Sequence, residues 1–331
     1  MTLPSFTRRL ALAAVLALGV ASCGGGDEKA GAAPTEITFS ILSAEGQASA
    51  GPLWQPLLDD MSKAIGVEVK PYFGSNYTVL VEAMRGNQTQ VAWFSAKPAV
   101  EAINRADAEV IARTVNKEGL DSYRSTLIVR AGSGITLEQV LACGKRFDFG
   151  IGDAQSTSGT LAPMAFLFNP RNIVPAQCFK NVRSANHQSN AFGIASGQLD
   201  VATSNTVNTV FMTKQNPRIA AQIQEIWQSP PIPESGILVR EDLDPVLKEK
   251  IRSFFLTYGQ GDTVEAERQR QVLAGLEYSR FNAADDGYLN PIREMIADQQ
   301  LNEARAKGDT AAAATAEREL QRLRSLREVQ P

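Results

Sequence analysis

The feature that most constrains this chain is an alternation of strand-like and helix-like segments that runs through twice. "EITFSILS" (Glu36 to Ser43) alternates like a strand. "GPLWQPLLDDMSKAIG" comes next, with apolar residues at helical spacing, and ends on Gly66. "VEVKPYF" reads as a second strand, "YTVLVEAMRGNQ" as a helix, "QVAWFS" as a third strand and "PAVEAINRA" as a third helix. After "SYRSTLIVRAG" the rhythm restarts. "TLEQVLACG" is a helix, "FDFGIG" a strand and "GTLAPMAFLF" a helix, with a strand near Lys180 to Arg183, then "SNAFGIASGQ" as helix and "LDVATSN" as strand. "AQIQEIWQS" and "GILVRED" are strand-like, and the remainder of the chain is mostly helical. Alternation of this kind predicts a parallel sheet covered by helices, here in two α/β lobes. The chain is expected to cross between them near Ser125 to Val129 and near Ile237 to Arg240. The division is then 37–128 with 237–331 in lobe 1, including C-terminal helices, and 129–236 in lobe 2. Two lobes joined by two crossings enclose a cleft, and in open α/β sheets ligands bind at the carboxyl ends of strands.

The amino terminus speaks to compartment. Arg8 and Arg9 precede an apolar run from Leu10 to Ala21, leading into "VASC". A positive segment, a short apolar one and small residues before a cleavage point make a secretory signal, too short for a permanent bilayer span. The small residues before Cys23 resemble a lipoprotein lipobox, which implies cleavage after residue 22 and lipid attachment at Cys23. Residues 23–36 then form a flexible tether. Of the three cysteines, Cys143 and Cys178 remain as an even pair in an exported chain, and a disulfide between them is expected. The formal charge of -3 brings no basic excess to suggest a nucleic-acid partner. The stretch from about Asp298 to Arg327, rich in Ala, Glu, Arg and Gln, reads as exposed helix.

"GDAQSTSGTLAP" (Gly152 to Pro163) succeeds a predicted strand and opens a predicted helix. Ser156, Thr157 and Ser158 bring hydroxyls, and the first helical turn brings free backbone N–H groups and the positive end of its dipole. That suits a tetrahedral oxyanion. From this stretch alone it equally suits an ordinary Ser/Thr helix cap, the commoner use of such residues.

Several stretches together resemble the phosphonate-binding proteins of ABC transporters: "SAEGQ", "YFGSNYTVLVEAMRGNQTQVAWF", "ARTVNKEGLDSYRSTLIV", "GDAQSTSGTLAP", "NHQSNAFGIASGQLDVATSNT", "IWQSPPIP" and "LNPIREM". The likeness runs from about Ile37 to Ile296. It implies a two-lobe periplasmic-binding-protein fold with the ligand cleft between the lobes and a C-terminal helical extension. It also implies capture of a phosphoryl oxyanion outside the inner membrane and delivery to ABC permease subunits, by a protein expected to be a monomer. Carried over by position, the oxyanion group falls to Ser156, Thr157, Ser158 and His187, the only histidine, with Tyr77 facing it from the other lobe and Tyr123 as a second pocket tyrosine.

The departures bear on selectivity. Members that take 2-aminoethylphosphonate hold its ammonium with two carboxylates, and those positions are Val207 and Ser235 here. Glu234 is adjacent, but a one-residue shift generally turns a side chain elsewhere. A buried ammonium without a partner is costly. The expected ligand is therefore a phosphonate or phosphite-like oxyanion lacking a charged amine, with phosphate or a phosphodiester as the alternative. A phosphoryl-processing enzyme would need a metal cluster or an activated nucleophile. One histidine and no closely spaced Asp/His set argue against it, and Asp153 and Asp200 read as loop residues. An assembly or signalling lipoprotein using its C-terminal helices is a third reading. No cofactor or metal is expected.

Overall fold

The computed structural model describes residues 34–42, 47–74 and 76–329. The expected signal peptide, Cys23, nearly all of the tether and most of "SAEGQ" lie outside the described residues. Along the chain, β1 (Glu36–Ile41), α1 (Gln47–Ile65), β2 (Glu68–Phe73), α2 (Tyr77–Arg85), β3 (Val91–Phe94) and α3 (Ala96–Arg105) match the first run of the alternation. Then come β4 (Ala108–Asn116), β5 (Ser122–Tyr123), β6 (Ser125–Arg130), α4 (Leu137–Leu141) and β7 (Asp148–Ile151). Beyond the hydroxyl segment are α5 (Pro175–Cys178), β8 (Asn181–Ser184), α6 (His187–Ser196), β9 (Val201–Asn205), α7 (Thr206–Gln215), α8 (Pro217–Ala220), β10 (Ile223–Gln228), β11 (Ile232–Pro233) and β12 (Gly236–Arg240). The chain ends with α9 (Pro245–Thr257), α10 (Val264–Gly275), β13 (Tyr278–Ala283), α11 (Asn290–Lys307) and α12 (Thr310–Val329).

Two sheets form the cores of two α/β lobes. One has six strands in the order β13-β4-β12-β3-β1-β2, the other five in the order β10-β6-β9-β7-β8. The expectation of parallel sheets holds only for part of each. The β1–β2, β1–β3, β7–β8 and β7–β9 pairs are parallel, whereas β12 runs antiparallel to both β3 and β4, and β6 antiparallel to β9 and β10. The reason is topological. A strand that arrives from the other sheet has no βαβ crossover to force it parallel. The spans expected to cross between lobes, Ser125 to Val129 and Ile237 to Arg240, are strands inside the sheets. The passages lie just before them, at 117–124 and 229–235, where β5 and β11 pair as a short two-stranded ribbon with Ile232 opposite Tyr123.

Among the longer elements, β4, α7 and β13 are not legible in the sequence, and neither are the short β5, α5, α8 and β11. The "GTLAPMAFLF" helix is instead two π-type turns, Thr157–Leu161 and Met164–Phe168, on either side of Pro163. The Leu161 N–H reaches back five residues to the Ser156 carbonyl, which widens the turn. The C-terminal helices form the expected extension, with Leu301 on α11 and Leu320 and Leu323 on α12 sharing a small apolar cluster.

Cys143 and Cys178 are bonded, with Cα atoms 4.5 Å apart and a sequence separation of 35. They flank a stack of Phe149 on Phe179 at 4.2 Å. Closing a loop of that length stabilises by roughly 3–4 kcal/mol. Reduction, or Cys143→Ser with Cys178→Ser, is expected to lower the denaturant midpoint by a corresponding amount. Equal midpoints with and without reductant would count against a stabilising bridge.

Candidate functional site

The hydroxyl segment is shaped by two glycines set back to back. The Gly152 N–H donates to the Gly159 carbonyl at 3.0 Å. A Cβ on Gly152 would lie 2.5 Å from the Gly159 Cα, so neither position tolerates a side chain without moving backbone. Ser156 plays the cap: its Oγ accepts from the Gly159 N–H at 2.9 Å. Thr157 Oγ1 accepts from the Lys97 N–H at 2.8 Å and lies 3.3 Å from Ser95 Oγ, which ties this turn to the start of α3. Ser158 Oγ is a junction, 3.0 Å from His187 Nε2 and accepting from Asn205 Nδ2 at 3.0 Å.

These groups open onto one cavity of about 60 Å³, lined among others by Tyr77, Ser95, Ser156, Ser158, His187 and Asn205. Several water-sized positions fit in such a volume. Of the residues expected at the site, Tyr123, Val207 and Ser235 also line it; Thr157 does not, because its hydroxyl is turned to Lys97 and Ser95.

The sequence places five helical starts around this space. Tyr77 opens α2, Ser95 precedes α3, Ser156 caps the first π-type turn, His187 opens α6 and Asn205 caps α7. Each start presents N–H groups and the positive end of a peptide dipole. Among the described residues no Lys or Arg lines the cavity. An anion placed here would meet fixed dipoles and neutral donors, which need no reorganisation to receive it. Trp93 adds an indole Nε1 that is buried without a hydrogen-bond partner among the described residues. Ser95, Asn205 and Trp93 are site residues that sequence reasoning misses. The signal for the first two is present: each sits where a buried strand ends and a helix begins, as the hydroxyl loop does.

His187 is 2% exposed, and burial pulls its pKa down to about 4, so the ring is neutral at pH 7. Its Nδ1 has no partner of good hydrogen-bond geometry among the described residues, and the Thr203 backbone only partly opposes the effect of burial. A neutral imidazole can share a proton with Ser158 or donate to an oxyanion.

The side of the cavity away from the hydroxyls carries a carboxyl. Glu234 lies one residue off the position expected of an ammonium-binding acid, yet it lines the cavity together with Ser235. It lies in the break between β11 and β12. There the Thr114 N–H donates to the Ser235 carbonyl at 3.0 Å, and the Thr114 hydroxyl donates to Glu234 Oε2 at 3.3 Å. Glu234 is 2% exposed and its Oε1 has no hydrogen-bond partner among the described residues. Burial pushes its pKa up to about 7, against the opposing effect of the Ser235 N–H and Thr114 hydroxyl.

Asp153 and Asp200 are loop residues as expected: Asp153 Oδ1 accepts from the Gln155 N–H and Asp200 Oδ2 from the Asp148 N–H, each at 2.8 Å. Among the described residues no group of three or more His, Cys, Asp or Glu side chains could hold a metal ion.

Comparison with known proteins decides the family. The family model described as "ABC transporter, phosphonate, periplasmic substrate-binding protein" matches residues 39–289. The chain belongs to this family. It is 37% identical over 266 residues to the phosphonates-binding periplasmic protein of Escherichia coli, covering 80% of this chain and 77% of that one. A solved Pseudomonas aeruginosa structure, a binding protein component of an ABC phosphonate transporter, is 35% identical and superposes with a TM-score of 0.84 over 90% of this chain and 99% of that one. The phosphate-import protein of Mycolicibacterium smegmatis is 26% identical over 257 residues, 73% of this chain and 79% of its own length. This phosphonate-binding family member is thus a solute-binding component of an ABC transporter, its relatives are transport components rather than enzymes, and its place of work is the periplasm.

Proposed function

We propose that the protein captures a small phosphonate or phosphite-like oxyanion, with its phosphoryl oxygens at Ser156, Ser158, His187 and Tyr77 and its substituent towards Tyr123, Val207, Glu234 and Ser235. Thr157 supports the site by holding the hydroxyl turn to α3. The observation that carries this reading is the convergence of helical starts on a cavity with no lining cation among the described residues. A singly or doubly charged tetrahedral group fits such a site, and the relatives in Escherichia coli and Pseudomonas aeruginosa are phosphonate proteins by name. Phosphate is the second reading, favoured by the Mycolicibacterium smegmatis relative. Below about pH 7 Glu234 is protonated, and a ligand without a charged amine suits the substituent end.

The protein acts without catalysis. It closes on its ligand between lobe 1, built on the six-stranded sheet, and lobe 2, built on the five-stranded sheet, with the chain passing between them at 117–124 and 229–235, and hands it to ABC permease subunits as a monomer. Removal of residues 1–22 and acylation of Cys23 tether it to a membrane through residues 23–36. Calorimetry of the mature domain against methylphosphonate, phosphite, phosphate, 2-aminoethylphosphonate and a phosphodiester tests the proposal. A phosphonate or phosphite should bind most tightly and be recovered unchanged. Phosphate ranking first selects the second reading, and no binding by any of the five refutes both.

A further inference from the structure

Four residues line the ligand cavity on one side and a separate groove of about 530 Å³ on the other: Tyr123, Val207, Glu234 and Tyr278. The partition between the two spaces is therefore one side chain thick. Three of its members are fixed. Tyr123 and Tyr278 are at least nine-tenths buried, and Glu234 is held by Thr114. Val207, the second residue of α7, is only half-buried against the core and is the smallest of the four.

The groove beyond is not a second anion site. Its Lys117 is paired with Glu277 at 3.0 Å, and Arg124 donates to the Ser229 carbonyl at 2.6 Å. The groove sets apolar side chains beside polar ones such as Glu118 and Gln228. Leu120 is 56% and Val210 37% exposed, and Pro231 lines the same space.

Resting on the proposed oxyanion role of the cavity, we propose that Val207 is the length gate of the binding site: it limits the wild-type ligand to a short substituent, and the groove behind it is a latent subsite for an unbranched alkyl chain. A chain that reached the groove would bury methylenes against Leu120, Val210 and Pro231, each worth about fourfold in affinity when fully buried. A chain that meets Val207 must instead push α7 outward.

The test is calorimetry of methyl-, ethyl-, butyl- and hexylphosphonate with the wild type, Val207→Ala, Val207→Leu, and Val207→Ala combined with Leu120→Asp. The wild type should lose at least about tenfold between ethyl and butyl. Val207→Ala should bind butyl- and hexylphosphonate at least as well as it binds ethylphosphonate, a ratio read within the variant whatever its affinity for methylphosphonate. Val207→Leu should move the cut-off to a shorter chain, and Leu120→Asp in the Ala background should remove the gain for hexylphosphonate alone. Parallel profiles for the wild type and Val207→Ala would overturn the gate, as would wild-type binding of butylphosphonate as tight as ethylphosphonate. Should the wild type bind none of the four, the gate falls; binding of phosphite or phosphate in the same titrations then shows whether the oxyanion role of the cavity stands without it.

Discussion

Ser158→Ala is expected to weaken methylphosphonate binding by about 1.5–3 kcal/mol, roughly 10- to 150-fold, in calorimetry at pH 7.5. The size reflects the groups that meet at this hydroxyl. Ser158 Oγ lies 3.0 Å from His187 Nε2 and receives Asn205 Nδ2 at the same distance. The oxygen links residues from three chain segments, and its removal leaves two buried polar groups without their common partner as well as one fewer donor to the ligand. Ser158 is 2% exposed, so water does not readily take its place. Thr157→Ala should act differently. Its hydroxyl serves Lys97 and Ser95 rather than the cavity, so the loss falls on the docking of the turn against α3 and shows in stability as well as in affinity. Ser158→Ala binding with wild-type affinity would move the oxyanion away from the hydroxyl turn.

How far the sequence discloses this site depends on how local the signal is. The alternation of β1 through α3 and of β7 through β9 is a short-range pattern, and it places the hydroxyl loop correctly at the end of a strand. Strand β4 escapes notice because its buried residues fall in runs, Val110–Ala112 and Thr114–Val115, and do not alternate. The antiparallel β12 and β13 depend on partners more than a hundred residues away, as with Leu238 opposite Val110 and Arg280 opposite Val115. A run of Ser-Thr-Ser announces hydroxyls but not their directions; the π-type turn turns Ser156 and Ser158 towards the cavity and Thr157 towards Lys97. Glu234 is misjudged for a related reason. The rule that a one-residue shift reverses a side chain holds inside a regular strand. Glu234 and Ser235 occupy a break between strands, and both line the cavity.

That misjudged acid carries the second large effect. In the wild type, the preference for 2-aminoethylphosphonate over methylphosphonate is expected to rise by about tenfold or more between pH 6 and pH 8, and in Glu234→Gln to change much less. The sign comes from linkage. Glu234 has its pKa raised on folding from 4.5 to about 7, so between those values the native state holds a proton that the unfolded state has lost. Stability from this group is present below pH 4.5 and is lost as pH rises towards 7, by roughly 3 kcal/mol once ionisation is complete. An ammonium beside Oε1 supplies the missing partner and favours the ionised form; an uncharged substituent favours the protonated one. Raising the pH therefore helps the amine ligand and hinders the neutral one, each through the same carboxyl. Glu234→Gln removes both effects, and above about pH 7 it should also stabilise the ligand-free protein, because it relieves a buried charge left without a partner. Titration of the phosphonate groups themselves and of His187 is common to wild type and variant, so the comparison isolates Glu234. The low preference for an amine that Val207 and Ser235 predict is then an acid-side property, expressed below about pH 7, where Glu234 is neutral. An affinity ratio that stays flat from pH 6 to pH 8 in the wild type would mean that the Glu234 carboxyl does not meet the substituent.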